Sequence, residues 1–391
     1  MCPFAENKVD MKRIVFWCTL VSAFVSCAEI VNDYPETRSG ADSDKVGLSD
    51  IARLISSLPI GEEQLGEVYD AVSSSSSNGY DEEYMMSDLF SSPGKGVGDS
   101  ETKASRYKTP MKDLIEDYLK NTATKAGAVD VEKYINSMID SGVQIYWPFS
   151  ENWDGSSYPV VTFDPGYGAE SNYGYEIRID SGGATVVDSV LVDEELAKTR
   201  PVWVINTNDD SAFTPYDMYL SKSSASEVTK AAGTEVEKRL YLQDLTLLRN
   251  YDSWFGGASE IFVKCGSASG FKASTDDELK QYHASLTDFM IVVKRKDIGK
   301  TIPFEALLVS DFTSQIEKIA FFMIEDDGGT TTNWKCSATV KYQSKSYGFD
   351  IDIPYKDKDD IIWRGQLASG FFSGGEVHGR FGDAVVTFRL E

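Results

Sequence analysis

The sequence predicts an α+β N-terminal domain followed by an all-β C-terminal domain, which we expect to be an antiparallel β-sandwich. Its 391 residues are more than one compact domain usually needs. Hydrophobic residues make up 41% and aromatic residues 12% of the chain, which is enough for sizeable cores. Helical spacing of apolar residues is concentrated before residue 143, and short strand-like segments follow it. The order of these patterns therefore indicates helices first and sheets afterwards.

The first 27 residues have the pattern of a secretory signal. Lys12 and Arg13 precede the apolar run Ile14–Val25, which ends at Ser26 and Cys27. A helix of this length rises about 18 Å, less than the roughly 30 Å of a bilayer core, so the run is too short to span a membrane. Positive charge, a short apolar run and a small residue before a cleavage site are typical of a signal peptide.

The segment Phe24–Cys27 resembles the lipobox of bacterial lipoproteins, in which the cysteine becomes the lipidated first residue of the mature protein. Such a signal ahead of an acidic, aromatic-rich body is similar to those of lipoproteins of the Bacteroidetes. The resemblance implies acylation of Cys27, export, and attachment to the bacterial cell envelope, at the periplasmic or surface face of the outer membrane. The polar residues 28–47 are then expected to form a tether.

Apolar spacing predicts two pairs of helices before the sheets. The first pair occupies Leu48–Val72. The serine run that follows, Ser73–Gly79, has the composition of a flexible linker, and we expect low order from there to Ser105. A second pair begins at Thr109–Pro110, which is a typical helix entry, and ends at Gly142.

Strand patterns fill most of the remaining chain. Five segments in the N-terminal part are short and closely spaced, which favours an antiparallel sheet over βαβ units. They are Val143–Trp147, Tyr158–Phe163, Tyr173–Ile179, Val186–Val192 and Pro201–Ile205. Eight further candidates in about 155 residues suit a β-sandwich. They are Leu240–Leu248, Glu260–Lys264, Phe289–Lys294, Phe304–Ser310, Ile319–Ile324, Ser337–Tyr342, Tyr347–Ile353 and Val385–Leu390.

These patterns divide the chain into six regions, with a polar linker rich in Ser, Lys and Ala between the two domains. We expect a signal peptide at 1–27, a tether at 28–47, short helices and a Ser-rich linker at 48–105, an α+β domain at 106–220, a linker at 221–235 and a β-sandwich at 236–391.

Composition argues against several classes of function. The 62 Asp and Glu residues oppose 38 Lys and Arg residues, which gives a net charge of -24. Such a field repels phosphate backbones, so we expect no nucleic-acid partner. Only two histidines, His283 and His378, are present, and the motifs GxxxxGK[ST], HExxH, GxSxG and CxxC are absent. The sequence therefore does not predict a P-loop ATPase, a zincin, an α/β-hydrolase or a thioredoxin-like enzyme.

Two cysteines of the predicted mature body have alternative interpretations. In an oxidising compartment, Cys265 and Cys336 are the only candidates for a structural disulfide. Two buried free thiols are the alternative, because the sequence says nothing about their separation in space.

Two acidic loops of the C-terminal domain carry the most specific pattern. The segment Asp252–Lys264 leads from a loop into a strand, and Phe321–Asp327 is a strand that ends in acidic residues. The two segments resemble the first and second calcium loops of the calcium- and phospholipid-binding β-sandwiches found in protein kinase C and synaptotagmin. The sequence departs from that family in having Glu260 and Glu325 in place of Asp and a first loop that is two residues longer.

The resemblance implies a calcium site with Asp252, Glu260, Glu325 and Asp327 as ligands and with Asp244 and Asp326 supporting them. Calcium takes about six to eight oxygen ligands, and two loops at one end of a sandwich can bring carboxylates together around it. We therefore predict an exported, lipid-anchored binding or surface-structural protein, with calcium as candidate cofactor and an unidentified protein or glycan as ligand. A sandwich of this type whose acidic loops bind no metal is the alternative.

An enzyme is the competing class of function. Glu151 and Asp154 flank Trp153, and exposed aromatic residues beside acids can form a sugar-binding surface. The alternative function is therefore a carboxylate-based glycan hydrolase. A turn whose aromatic residues pack into the core explains the same pattern.

Overall fold

The computed structural model describes residues 47–91, 107–126, 130–179, 185–208, 213–216 and 238–391. All of them belong to one compact unit, which extends from Asp44 to Glu391. The predicted signal peptide with Cys27, the tether up to residue 46 and the linker at 221–235 lie outside the described residues. No helix in these ranges has the length and hydrophobicity that crossing a membrane requires.

The predicted pairs of helices are present. The described helices are α1 (Leu48–Ser56), α2 (Glu62–Ser77), α3 (Met86–Leu89), α4 (Met111–Ala126), α5 (Val131–Asp140), α6 (Glu194–Ala197) and α7 (Asp276–Gln281). Ile51 and Ile55 lie one turn apart on α1 and are fully buried, as their spacing predicts. The Asp130 carboxylate accepts a hydrogen bond from the backbone N–H of Lys133 (3.1 Å) and so caps the start of α5.

The prediction of a flexible linker is wrong for Ser73–Ser77, which form the last turns of α2. The apolar residues Val68 and Val72 are buried on the inner face of this helix and hold it in place. At its end, the Ser77 hydroxyl donates to the carbonyl of Ser73 (2.7 Å). Serine content alone therefore does not end a helix that has a buried face.

The N-terminal strands form one six-stranded sheet. They are β1 (Glu83–Met85), β2 (Val143–Tyr146), β3 (Val160–Phe163), β4 (Ser171–Ile179), β5 (Thr185–Asp193) and β6 (Val202–Thr207). Their order in the sheet is β1-β2-β6-β3-β4-β5. Neighbouring strands are antiparallel except β3 and β6, which run parallel because the β4–β5 hairpin and α6 return the chain before β6 begins. The predicted antiparallel sheet is thus confirmed for the other pairs.

The two faces of this sheet are covered by different parts of the chain. Helices pack on one face, where Ile55 and Val68 belong to the same buried cluster as Trp147 and Trp203. On the opposite face, Tyr146, Val160, Val192, Val202 and Val204 pack against Trp254 and Phe255. Both of these aromatic residues lie in the loop 248–258, which belongs to the C-terminal part of the sequence.

The C-terminal part consists mainly of strands, and all eight predicted strands are present. The strands are β7 (Leu240–Leu247), β8 (Ser259–Ser267), β9 (Ser285–Val293), β10 (Ile302–Val309), β11 (Ile316–Glu325), β12 (Thr331–Tyr342), β13 (Lys345–Lys356), β14 (Asp360–Ala368), β15 (Glu376–Phe381) and β16 (Ala384–Leu390). The sequence did not predict β14 and β15. Arg364, Gly365 and Gln366 interrupt the apolar residues of β14, and β15 has only Val377 and Phe381 as apolar side chains, so the hydrophobic pattern of both strands is weak.

The C-terminal strands form two sheets with a common core. One has the order β10-β7-β16-β15, and the other has the order β13-β12-β11-β8-β9 with β14 also paired to β11. Leu242 and Phe388 of the first sheet lie in one buried cluster with Val263 and Phe321 of the second. The β12–β13 hairpin covers the other face of β8 and β11, so that Ile351 lies over Gly266. A Cβ atom at position 266 would lie only 2.5 Å from Cδ1 of Ile351, which explains the glycine. The fold is therefore rich in β-structure, as predicted.

The disulfide interpretation of Cys265 and Cys336 is wrong, because both are free thiols. Cys265 lies in the core between the two sheets. Cys336 packs instead with the residues beneath the β12–β13 hairpin, on the other face of the same sheet. Because side chains of a strand alternate between faces, the sheet itself separates the two sulfur atoms.

Candidate metal centre

The loop 248–258 positions Asp252 at the ends of β8 and β11. The side-chain amide of Asn250 donates to the main-chain carbonyl of Asp252 (2.7 Å), and so does the Arg295 guanidinium through Nη1 (3.1 Å). One residue earlier, the backbone N–H of Tyr251 donates to the hydroxyl of Ser259 (3.0 Å). These bonds fix the backbone of the loop, so the carboxylate of Asp252 is the group that can reach a cation.

Glu325 and Asp327 come to the same place from the end of β11. Glu325 is the last residue of that strand and is fully buried, whereas Asp327 is exposed in the loop that follows. Gly328 and Gly329 have φ values of 73° and 104° and turn the chain directly after Asp327. One carboxylate oxygen each from Asp252, Glu325 and Asp327 lie within 4.8 Å of one another. We call these three residues the acidic cluster.

The environment of Glu325 is unusual for a carboxylate. Within the described residues, no N–H, hydroxyl, amide or basic side chain donates a hydrogen bond to either of its oxygens. The pKa of Glu325 is raised well above its usual range, first by burial and then by a hydrogen bond shared with Asp252. The charges of Asp252, Asp327 and Glu260 add to this effect. A buried acid with these neighbours is costly unless a proton or a cation neutralises it.

The other acids that the resemblance implied lie outside the acidic cluster. Glu260 is in β8, and strand alternation places it on the same side as Phe262, whereas Glu325 lies on the opposite side with Phe321. Asp326 forms an ion pair with Lys356 (2.8 Å) and accepts from the backbone N–H of Gly328 (2.8 Å). Asp244 is in β7, paired with Thr387 of β16. The structure therefore brings together three of the four predicted ligands.

Sequence reasoning missed the turn at 356–360, which borders the acidic cluster. The Asp359 carboxylate accepts hydrogen bonds from the backbone N–H groups of Lys356 (2.7 Å) and Asp327 (3.3 Å). Burial and the charge of Asp326 raise the pKa of Asp359 above its usual range. The run of alternating Lys and Asp before β14 was the available signal, but β14 itself was not recognised.

The donor set fits a hard cation. The acidic cluster contains only carboxylates, whose oxygens are the ligands that calcium and magnesium prefer, while zinc usually takes His or Cys. Oxygens on opposite sides of a calcium ion are about 5 Å apart, twice the Ca–O distance of roughly 2.3–2.6 Å, so the spacing in the cluster suits this ion. Three carboxylates can supply up to six oxygen atoms.

The two acids of the hydrolase alternative have separate structural roles. Asp154 accepts hydrogen bonds from the Ser157 hydroxyl and from the backbone N–H groups of Ser157 (2.7 Å) and Ser156 (2.8 Å); these bonds lower its pKa and make it a turn residue. Glu151 forms an ion pair with Lys296 (2.8 Å). Trp153, which lies between the two acids, packs against Tyr69 and Trp147 and donates its indole N–H to the carbonyl of Ser157. The packed-turn interpretation therefore describes this segment.

Comparison with known proteins gives little further information. No family model and no curated protein matches the chain. Among solved structures, the chain is similar to one described as Drosophila C2-DSL-EGF1, with 8% sequence identity and a TM-score of 0.16. The match covers 40% of this chain and 66% of that chain, just under two thirds of its length. A likeness this low carries no argument about fold or function.

Proposed function

We propose that the acidic cluster binds a calcium ion and that the protein is a calcium-dependent binding or surface-structural protein. The observation that carries this proposal is Glu325, a fully buried carboxylate that faces two further carboxylates and receives no hydrogen bond from an N–H, a hydroxyl or a basic side chain of the described residues. A divalent cation in their midst replaces mutual repulsion by attraction and so offsets the cost of burying Glu325.

Calcium is preferred to magnesium on the geometry of the loops. Asp252 and Asp327 come from irregular segments, and Glu325 comes from the end of a strand. Calcium accepts such irregular arrangements of six to eight oxygens, whereas magnesium requires a nearly ideal octahedron and retains several waters (about 2.0–2.1 Å to each ligand). The exposure of Asp327 leaves room for water to complete the coordination shell.

The proposal includes a β-sandwich as the framework of the site. Two observations support this framework: the two C-terminal sheets share one core, and the start of β8 and the end of β11, which bear the acidic loops, are adjacent in one sheet. With a net charge of -24, an anionic protein or glycan ligand would be attracted to this surface only through a bound cation.

Isothermal titration calorimetry with calcium tests the metal site. The full chain should bind one calcium ion, and Glu325→Gln and Asp252→Asn should each abolish this binding. Glu260→Gln should weaken calcium binding much less than these two variants, because Glu260 lies outside the cluster and acts on Glu325 only through its charge. Asp352→Asn, an exposed acid on β13, serves as the control for a general charge effect. Equal heats in wild type and Glu325→Gln would contradict the proposal.

We also propose that the protein is exported and held at a membrane by a lipid on Cys27, on the sequence pattern described above. Metabolic labelling with a radioactive fatty acid should mark the wild-type protein in a bacterial host. Cys27→Ala should abolish the mark, and label that persists in this variant would show that Cys27 is not the acylated residue.

A further inference from the structure

The loop that carries Asp252 belongs to the N-terminal core as much as to the metal centre. Trp254 and Phe255 are fully buried against strands β5 and β6 and their neighbours. The indole N–H of Trp254 donates to the carbonyl of Glu170 (3.0 Å). Asp252 therefore lies only two residues from side chains that are fixed in the N-terminal sheet.

Polar contacts hold the same loop from the same side. The amide of Asn206, at the end of β6, donates to the carbonyls of Phe255 and Gly256 (2.9 Å each). The backbone N–H of Ala258 donates to the buried carboxylate of Asp81 (2.9 Å). Asn206 and Asp81 are 1% and 6% exposed, so these hydrogen bonds are shielded from water.

Arg295 connects helix α6 directly to the backbone of Asp252. Its Nε forms an ion pair with Glu194 of α6 (3.0 Å), while Nη1 donates to the carbonyl of Asp252 (3.1 Å). The Arg295 side chain is 15% exposed. Loss of the Glu194 charge would free a guanidinium beside the acidic cluster, where it could compete with a cation.

Given the proposed calcium site, we infer that calcium binding at the acidic cluster tightens the junction between the loop 248–258 and the N-terminal sheet. The cation fixes Asp252 to Glu325 and Asp327, while Trp254, Asn206 and Arg295 fix the same short loop to β6 and α6. Opening of the junction lets the loop move and costs the site one of its ligands. Site and junction are therefore linked, and each stabilises the other to the same extent.

Hydrogen exchange followed by mass spectrometry on the full-length wild-type protein tests this linkage. Calcium should slow exchange in β6 and α6, which do not contact the ion, as well as in the loop. The slowing should reach about a hundredfold at a hundredfold excess of calcium over Kd, if opening abolishes binding. Helix α7 packs against Phe271, beyond the end of β8 that is farther from the loop, and should change much less.

The matched pair Glu194→Gln and Glu195→Gln tests the reverse direction. Both variants remove one negative charge from α6, but Glu195 is 82% exposed and pairs with Lys198, whereas Glu194 holds Arg295. Glu194→Gln should weaken calcium binding at least about fivefold, a typical size for coupling between sites. Glu195→Gln should stay within twofold of wild type.

Each of the following outcomes would overturn the inference. Slowing restricted to the loop and β11, or the same slowing in every peptide including α7, would show that the junction is not linked to the site. Equal loss of calcium affinity in both α6 variants would assign the effect to charge alone. If calorimetry shows that wild type does not bind calcium, both the proposed function and this inference are wrong. If wild type binds calcium but hydrogen exchange in β6 and α6 does not change, only this inference is wrong.

Discussion

Three consecutive acids, Asp81, Glu82 and Glu83, are buried although the chain carries an excess of negative charge. Each accepts hydrogen bonds from a distant part of the chain. The donors are Ala258 N–H for Asp81, Phe149 N–H for Glu82 and the Asn208 amide for Glu83. Glu82 also shares a hydrogen bond with Glu151, and burial followed by this contact raises the pKa of Glu82. These residues make stability depend on pH.

Glu83 should make the protein less stable as the pH rises through neutrality. Burial, followed by the charge of Asp81, raises its pKa from 4.5 to about 7. Between these values the folded state holds a proton that the unfolded state has released, so the free energy of unfolding falls as pH increases. Glu83→Gln should remove this part of the slope and add up to about 3 kcal/mol at pH 8. Urea unfolding of wild type and Glu83→Gln at pH 4.5, 6 and 8 measures this difference in the free energy of unfolding.

The matched control is Glu170→Gln, an exposed acid whose side chain should leave the pH profile unchanged. Gln at position 83 can still accept the hydrogen bond from Asn208, so the variant keeps the contact and removes only the titration. If Glu83→Gln and wild type lose stability equally between pH 4.5 and pH 8, the pH dependence arises elsewhere.

Sequence reasoning identified the acidic cluster better than it identified the buried acids. Asp252, Glu325 and Asp327 stand out because they occupy loops or strand ends in a recognisable order. Glu260 was included because its position in the sequence matches that order, but the alternation of β8 turns it to the other face. Glu82 and Glu83 look like solvated acids in a sequence, since the donors that allow their burial are more than sixty residues away.

At the scale of elements, the β12–β13 hairpin forms a cover over the second C-terminal sheet. Its inward residues Ile351 and Ile353 are buried with Phe262 and Phe322, and Trp334 packs edge-on to Phe322 (5.3 Å between ring centroids). The outward residues of the same strands, such as Asp352, are exposed. The hairpin therefore shields one face of β8 and β11, the two strands whose ends carry the acidic loops.

Removal of the apolar contact under this hairpin should destabilise the protein strongly. Ile353 is fully buried beneath the hairpin, so Ile353→Ala leaves a cavity in the core. We expect a loss of about 2–5 kcal/mol in the free energy of unfolding, measured with urea. Asp352→Ala, on the outward face of the same strand, should change it by no more than about 0.5 kcal/mol. Similar values for both variants would show that the hairpin does not contribute to the core.

Elements with an apolar face were predictable, and elements defined by their neighbours were not. Ile51 and Ile55 revealed α1, and the runs of apolar residues revealed β7 and β11. The end of α2 was missed because its last five residues, Ser73–Ser77, have the composition of a linker, whereas the buried Val68 and Val72 before them keep the segment helical. The parallel pairing of β3 with β6 depends on how the chain returns after α6, which no local pattern records.

At the scale of the whole molecule, the loop 248–258 joins what the sequence treats as separate parts. Trp254 and Phe255 complete a cluster with Tyr146 and Val204, residues about fifty or more positions earlier. In the sequence, Trp254 and Phe255 stand out only as part of a candidate calcium loop, since spacing along the chain cannot show a contact of this range. The domain boundary at 221–235 lies outside the described residues and stays a prediction.

The negative charge of the chain gives the acidic cluster its significance. A protein with a net charge of -24 gains little from bringing three more carboxylates together, one of them fully buried, unless a cation compensates them. Burial, the hydrogen bond with Asp252 and the neighbouring negative charges raise the pKa of Glu325, so uptake of a proton is one way to compensate its charge. A calcium ion provides a second, and it fixes the loop and the strand end to each other.

Anomalous diffraction from crystals of the full chain grown with calcium tests this central claim most directly. We predict a peak in the anomalous difference map between Asp252, Glu325 and Asp327, with carboxylate oxygens about 2.3–2.6 Å from it. Crystals of Glu325→Gln grown in the same solution should lack the peak. A wild-type map with no peak there, or with the calcium held by other acids such as Asp326 and Asp359, would contradict the account.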